Sequence, residues 1–241
     1  FQGQKDKNSV LIEIPGITSS PGVIPTAVWF ERSQKSLKIG KSALKMKESP
    51  NSELFFHSNF KRLIGNNTEN RNEKNILSPS QCGKEFFKFL WENLPYKYEI
   101  KRLVLTAPID TYKGYREWLI NLCGDLSVDE IALVDEPTAA SLSINVPFGS
   151  KIMTLDIGGS TIDMNITQLE GGEGKSVPIA ELLKFKGEEV SSISKQKVRF
   201  AEIISKTGSK IGGKDFDQWI VNHFLPNNRY PSNLLRAEEI K

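Results

Sequence analysis

Between residues 102 and 169 short apolar runs alternate with amphipathic stretches, and few folds accommodate that order. Residues 102–106 are rich in β-formers and end at Pro108. In residues 113–123, Tyr115, Trp118, Leu119 and Leu122 recur at helical spacing, and Gly124 closes the stretch. Residues 131–134 read as a strand, 137–144 as a short helix, 152–155 as a strand, and 162–169 as a returning, alternating strand. This alternation predicts an α/β layered domain with a mixed sheet flanked by helices. The clearest helix lies upstream, at residues 78–94. Ser78 stands as N-cap, Pro79 occupies the first helical position and Gln81 completes a capping box. Leu77 and Cys82 stand where a hydrophobic staple forms, Cys82, Phe86, Phe89 and Leu90 share one face, and Pro95 ends the helix. Strands are expected at 9–14 and 28–30, with a turn-rich stretch at 15–25 between them. Residues 66–75 read as an exposed polar loop, 171–174 as a flexible glycine turn, 198–206 as a helix stopped at Gly208, and 226–241 as the start of a further element.

Composition removes several classes of function. The 241 residues include 32 basic and 29 acidic side chains, a net charge of +3, which gives no electrostatic case for nucleic acid. No apolar run approaches a membrane span, and the start is not a signal peptide, so no membrane association is expected. Cys82 and Cys123 form no Cys-x-x-Cys pair, which fits a reducing, cytoplasmic compartment. With His57 and His223 far from them in sequence, a zinc site is not expected. The first residue is Phe1, and the chain is expected to be a piece of a longer protein.

Two segments carry chemistry. Residues 156–163 read Asp-Ile-Gly-Gly-Ser-Thr-Ile-Asp: an apolar strand delivers Asp156 at its end, and the backbone then turns through Gly158 and Gly159. Glycines let main-chain N–H groups approach phosphate oxygens. The Thr161 hydroxyl can bond a phosphate or a water, and Asp156 can hold a hydrated Mg²⁺. A plain β-hairpin with a glycine turn explains the segment equally well. Residues 135–140, Asp-Glu-Pro-Thr-Ala-Ala, follow the strand at 131–134. Glu136 emerges at a strand end, where α/β sheets bind ligands, and can order a metal-bound water or relay a proton. Capping the following helix and compensating its dipole is the alternative role.

In order and spacing these segments resemble the nucleotide-binding domain of the heat-shock-70 chaperone family. Residues 136–140, Glu-Pro-Thr-Ala-Ala, and 155–163, Leu-Asp-Ile-Gly-Gly-Ser-Thr-Ile-Asp, carry the resemblance. Asn-Phe-Lys-Arg-Leu-Ile-Gly at 59–65 and Val-Leu-Thr-Ala-Pro at 104–108, with Arg116 eight positions after the proline, agree with it. So do Ile-Gly-Gly-Lys-Asp-Phe-Asp at 211–217, running into Val-Asn-His-Phe at 221–224, and the strand entry at 24–30. The resemblance implies an actin-like ATPase fold with ribonuclease-H-like lobes around a cleft for ATP or ADP and Mg²⁺. It implies that Lys61 contacts the γ-phosphate and attacking water, that Glu136 links nucleotide and metal hydration to an interdomain signal, and that Asp156 lies near the Mg²⁺ waters. Gly158, Gly159, Ser160 and Thr161 match the second phosphate loop. Gly213 matches a glycine close to the nucleotide, Arg62 a residue near the adenine side, and Pro108 and Arg116 a proline switch and its relay arginine.

The implied organisation is a first lobe over 1–149 (core 1–29 and 96–149, outer subdomain 30–95), the start of the second lobe core at 150–210, and the start of its outer subdomain at 211–241. The implied partners are unfolded polypeptide clients and co-chaperones. Ser160 stands where the family has a third loop glycine, and Ile109-Asp110-Thr111 departs from the family pattern, as expected of a divergent, bacterial-type branch. The chain has no Asp-x-Gly-Thr-Thr first phosphate loop and no adenosine loop, so the 241 residues alone are expected to be inactive. The other readings are an actin-like filament or scaffold protein and a pseudo-ATPase binding module.

Overall fold

The computed structural model describes residues 10–31, 36–47, 55–58, 60–65, 77–95, 97–144, 146–147, 149–169, 181–185, 188–189 and 201–224. The chain divides into two compact units. One comprises Phe1–Leu105, Thr111–Leu133 and Ala180–Val198, the other Thr106–Asp110, Val134–Ile179 and Arg199–Lys241.

In the first unit, β1 (Ala27–Glu31) is the centre of an antiparallel sheet, flanked by β2 (Ser36–Ile39) and β3 (Phe56–Ser58). Its strand residues alternate faces, and both faces are covered. Ile39, Val28 and His57 stand in one row, Lys38, Trp29 and Phe56 in the next. Trp29 packs with Ala27, Ala43, Phe55 and Met46 into an apolar core. Helix α1 (Gly40–Lys45) starts at a left-handed glycine, φ 59°, where any Cβ would collide with the Ile17 carbonyl. Helix α2 (Pro79–Asn93) has the expected capping box: Gln81 N–H donates to Ser78 Oγ at 3.2 Å and Ser78 N–H donates to Gln81 Oε1 at 2.9 Å. Phe86 of α2 packs on Phe60 of a 3₁₀ turn, Phe60–Leu63. Helix α3 (Tyr112–Cys123) buries Tyr115 and Leu119 of the expected face, half-buries Trp118 and Leu122, and also buries Cys123. A second sheet has the order β4 (Arg102–Ala107), β5 (Glu130–Asp135), β8 (Glu181–Phe185), β9 (Glu188–Glu189), and the last two residues of β4 and of β5 belong to the second unit. Every residue of β5 is buried, as its continuous apolar run requires.

The second unit holds α4 (Glu136–Ser143), the antiparallel sheet β10-β7-β6, and α5 (Gly213–Phe224). Strands β6 (Lys151–Ile157), β7 (Ile162–Leu169) and β10 (Ala201–Ser209) form this sheet. Strand β7 alternates as expected, but the covered side carries Asp163, Asn165 and Thr167. Met153, Leu155 and Ile157 of β6 are exposed on the opposite side.

Two sequence expectations are corrected. Residues 10–14 form no strand, because their backbone groups are satisfied locally. Ile14 N–H donates to Thr18 Oγ1 at 3.1 Å, its carbonyl accepts from Ile17 and Thr18, and the Ile12 carbonyl accepts from Gly22. The helix expected at 198–206 is instead β10 over its described residues: the edge of β7 offers a hydrogen-bonding ladder from Leu169 to Ile162, which outweighs weak helical propensity. The loop at 66–75, the glycine turn at 171–174 and the element at 226–241 lie outside the described residues, as do Ser9 and Asn59.

Candidate phosphate-binding turn and its carboxylates

The turn at 158–161 is held from two directions. Gly158 N–H donates to the Thr161 carbonyl at 2.9 Å, closing the connection between β6 and β7. The first turn of α5 then docks on it: Gly213 N–H donates to the Gly158 carbonyl at 2.9 Å and Lys214 N–H to the Gly159 carbonyl at 3.1 Å. Neither Gly158 nor Gly159 adopts a left-handed φ. The glycine that this packing demands is Gly212. A Cβ there would strike the Ser160 backbone and lie 2.6 Å from the Gly159 carbonyl carbon. Asp215 holds Gly212 in place, its Oδ2 accepting from the Gly212 N–H at 2.9 Å. An added Cβ on Gly159 meets nothing within 4 Å, so that side of the turn is open.

Two aspartates bracket the turn. Asp156 and Asp163 are directly paired across the β6–β7 ladder, so their side chains share a face. Asp156 is half-buried and Asp163 is buried. Asp163 Oδ1 accepts from Ile109 N–H at 3.0 Å, while Oδ2 has no hydrogen-bond partner among the described residues. Burial holds the Asp163 carboxyl above its ordinary range, and the negative charges of Glu136 and Asp110 push the same way. The Thr161 side chain and the Ile109 N–H oppose the shift in part. Gly208 of β10 stands opposite Asp163, and any Cβ there would collide with Oδ1. Asp110 pairs with Lys210 at 3.4 Å. Ile109 follows the buried Pro108, so the residue next to the expected switch proline is bonded to this carboxyl.

Glu136 opens α4 but does not cap it. Asp135 is the N-cap, accepting from Thr138 N–H at 2.9 Å, and this moves the capping role from Glu136 to its neighbour. Glu136 is half-buried and within electrostatic reach of Asp163. The second unit therefore brings together Asp156, Gly158, Gly159, Ser160, Thr161, Glu136, Gly213 and Pro108. Lys61 and Arg62, half-buried on the 3₁₀ turn, and Arg116, half-buried on α3, belong to the first unit. Close behind Lys61, Gly65 (φ 77°) meets Gly114 of α3: a Cβ on Gly65 would come within 2.6 Å of Gly114 backbone.

Three residues of this arrangement carry little signal in the sequence. Asp163 is signalled only by its register against Asp156, Gly212 only by standing next to Gly213, and Gly208 by sequence alone resembles a helix stop. Among the described residues no three carboxylate, histidine or cysteine side chains form a ready metal cluster. Mg²⁺ keeps several of its waters, and a buried carboxylate oxygen beside Asp156, without a partner among the described residues, fits a cation held through water.

No family model matches the chain. It is similar to the chaperone protein DnaK of Metamycoplasma hominis, 26% identical over 168 residues, covering 66% of this chain and 27% of that protein. It is also similar to the HscA homolog of Shewanella woodyi, 26% identical over 64% of this chain and 21% of that protein. The DnaK of Ureaplasma parvum is 23% identical over 92% of this chain and 32% of its own length. The chain thus spans about a third or less of each of these relatives. Among solved structures it is similar to MreB5 of Spiroplasma citri bound to ADP, with a TM-score of 0.56 and 16% identity over 90% of this chain and 54% of that one. The AMPPNP-bound form of the same protein gives a TM-score of 0.57. No described helix is long and apolar enough to cross a membrane. The fold is that of the actin-like ATPases, represented in part, in a chain whose sequence is similar to heat-shock-70 chaperones.

Proposed function

We propose that this chain is the nucleotide-binding part of a heat-shock-70-like chaperone, binding Mg²⁺-ATP and contributing to its hydrolysis to ADP and phosphate. One observation carries the reading: an open-sided turn, docked on the first turn of α5, lies between two aspartates that share a face. A glycine turn open on one side lets a phosphate approach its backbone, and the Thr161 hydroxyl at its end suits a phosphate oxygen. Asp156 and Asp163 suit the waters of Mg²⁺, and Glu136 suits a water or a proton in transit. A bound Mg²⁺ would neutralise charge on the phosphates. Lys61 would supply positive charge to the γ-phosphate as water attacks in line. In the whole protein, nucleotide state would act on lobe closure through Pro108 and Arg116 and so on client binding.

The test is an NMR titration of the 241-residue chain with Mg²⁺-ATP, which reads weak binding. The amides of residues 158–161 are expected to shift, and unmoved resonances there at millimolar nucleotide overturn the reading. In any form of the protein that turns ATP over, Lys61→Ala should abolish hydrolysis and leave nucleotide affinity largely intact, since a group acting on the transition state affects rate more than binding. Single-turnover assays beside a binding titration measure both, and undiminished turnover removes Lys61 from the mechanism.

A second reading is an actin-like filament protein, which would share the fold found in MreB5. ATP-dependent pelleting would support it over the chaperone reading.

A further inference from the structure

The buried layer between α4 and its sheet is a continuous polar network. Asn165 Nδ2 donates to Thr138 Oγ1 at 2.9 Å, and Ser141 Oγ bonds Thr154 Oγ1 at 2.9 Å and Asn165 Oδ1 at 3.3 Å. Thr154, Asn165 and Lys206 stand in one row across β6, β7 and β10. The network ends on a charge. Asp135, with its side chain 2% exposed, accepts from Lys206 Nζ at 3.1 Å through Oδ2 while Oδ1 caps α4. A buried carboxylate is expensive to desolvate, and an asparagine caps a helix about as well without a charge. The charge at position 135 therefore has a use beyond capping, and the group that meets it is Lys206.

We propose that Lys206 is a positioning residue for Glu136, acting through Asp135. Lys206 and Gly208 lie on the same face of β10, two residues apart. One reaches the cap of α4 and the other lies against Asp163. A single strand thus sets where the head of α4, with Glu136 on its first turn, lies relative to the Asp163 carboxyl. The inference rests on the reading of Glu136 as a site residue, but it is measurable without nucleotide.

The experiment follows the Glu136 backbone amide resonance and the Thr138 amide exchange by NMR in the 241-residue chain. Lys206→Met should shift the Glu136 backbone amide resonance and speed Thr138 exchange by roughly tenfold, the scale of losing a charge-assisted hydrogen bond. Lys206→Arg should restore both. With Asp135→Asn, which keeps a cap and removes the buried charge, Lys206→Met should change neither readout. This background also serves if Lys206→Met alone does not fold. An unmoved Glu136 amide resonance in Lys206→Met overturns the proposal, and so does a shift in the Asp135→Asn background as large as in the native one. If Mg²⁺-ATP leaves residues 158–161 unperturbed while Lys206→Met still moves Glu136, the nucleotide reading fails and the anchoring stands.

Discussion

The sheets β2-β1-β3 and β10-β7-β6 have the same number of strands and the same antiparallel pairing, yet they cover opposite chemistries. The first buries Val28, Trp29 and Ile39; the second buries Asp163, Asn165 and Thr167 and leaves Met153, Leu155 and Ile157 exposed. Apolar burial stabilises without direction, whereas a buried polar row fixes geometry because each group needs a partner at a defined place. The row that holds the candidate site is the polar one. Asp163 Oδ2 and Thr167 Oγ1, which have no hydrogen-bond partner among the described residues, stand on the strand that leaves the turn.

The widest gap between the sheets should come from Trp29→Ala. It empties the core shared with Ala27, Ala43 and Phe55 and is expected to cost about 3–5 kcal/mol, read by chemical denaturation of the first unit. A change near wild type would mean that this sheet is not held by its apolar face. A pair of isosteric exchanges sharpens the contrast. Val28→Thr buries a hydroxyl in the row between Ile39 and His57 and should cost about 1–3 kcal/mol, while Thr167→Val removes a buried hydroxyl without a partner among the described residues and should stabilise by up to about 1 kcal/mol. Equal signs for the two exchanges would erase the distinction between the sheets.

The smallest expected effect is a pair of opposite responses to acid. Asp163 has a raised carboxyl because it is buried, so the folded chain takes up its proton before the unfolded chain does. The second unit should therefore gain stability as pH falls from the raised value toward the ordinary 3.8. His57 stands in a row with the fully buried Val28 and Ile39, its Nε2 has no partner among the described residues, and burial lowers its pKa. The unfolded chain is protonated there first, so the first unit should lose stability as pH falls below 6.5. Amide exchange in β7 and β1 across this range reads each response separately. Asp163→Asn should flatten the first and His57→Leu the second, and a trend that survives its own substitution belongs to another group.

Much of the fold was legible where local rules decide it. The capping box at Ser78 and Gln81, the apolar face of α3 and the continuous apolar run of β5 depend on neighbours in sequence, and they stand as expected. The segment from Asp156 to Asp163 was legible as a strand, a glycine turn and a returning strand. Its alternation was visible too, but alternation does not say which set faces inward. Register and the cover supplied by α4 selected the polar set. Residues 201–206 were misread for the same reason: their conformation depends on the open edge of β7, far away in sequence. Residues 10–14 were misread because Thr18 and Gly22 bond their backbone into a turn.

By itself the sequence determined the element types with local signals, the order of the motifs and the chemistry available at residues 136 and 156–163. Tertiary structure alone decided that Asp135 and not Glu136 caps α4, that Gly212 is the glycine pressed against the turn, and that Asp163 is buried with one oxygen unpartnered among the described residues. The physical reason is common to all three. Caps, close approaches and desolvation are set by atoms brought together through space, and no spacing along the chain encodes how near those atoms come.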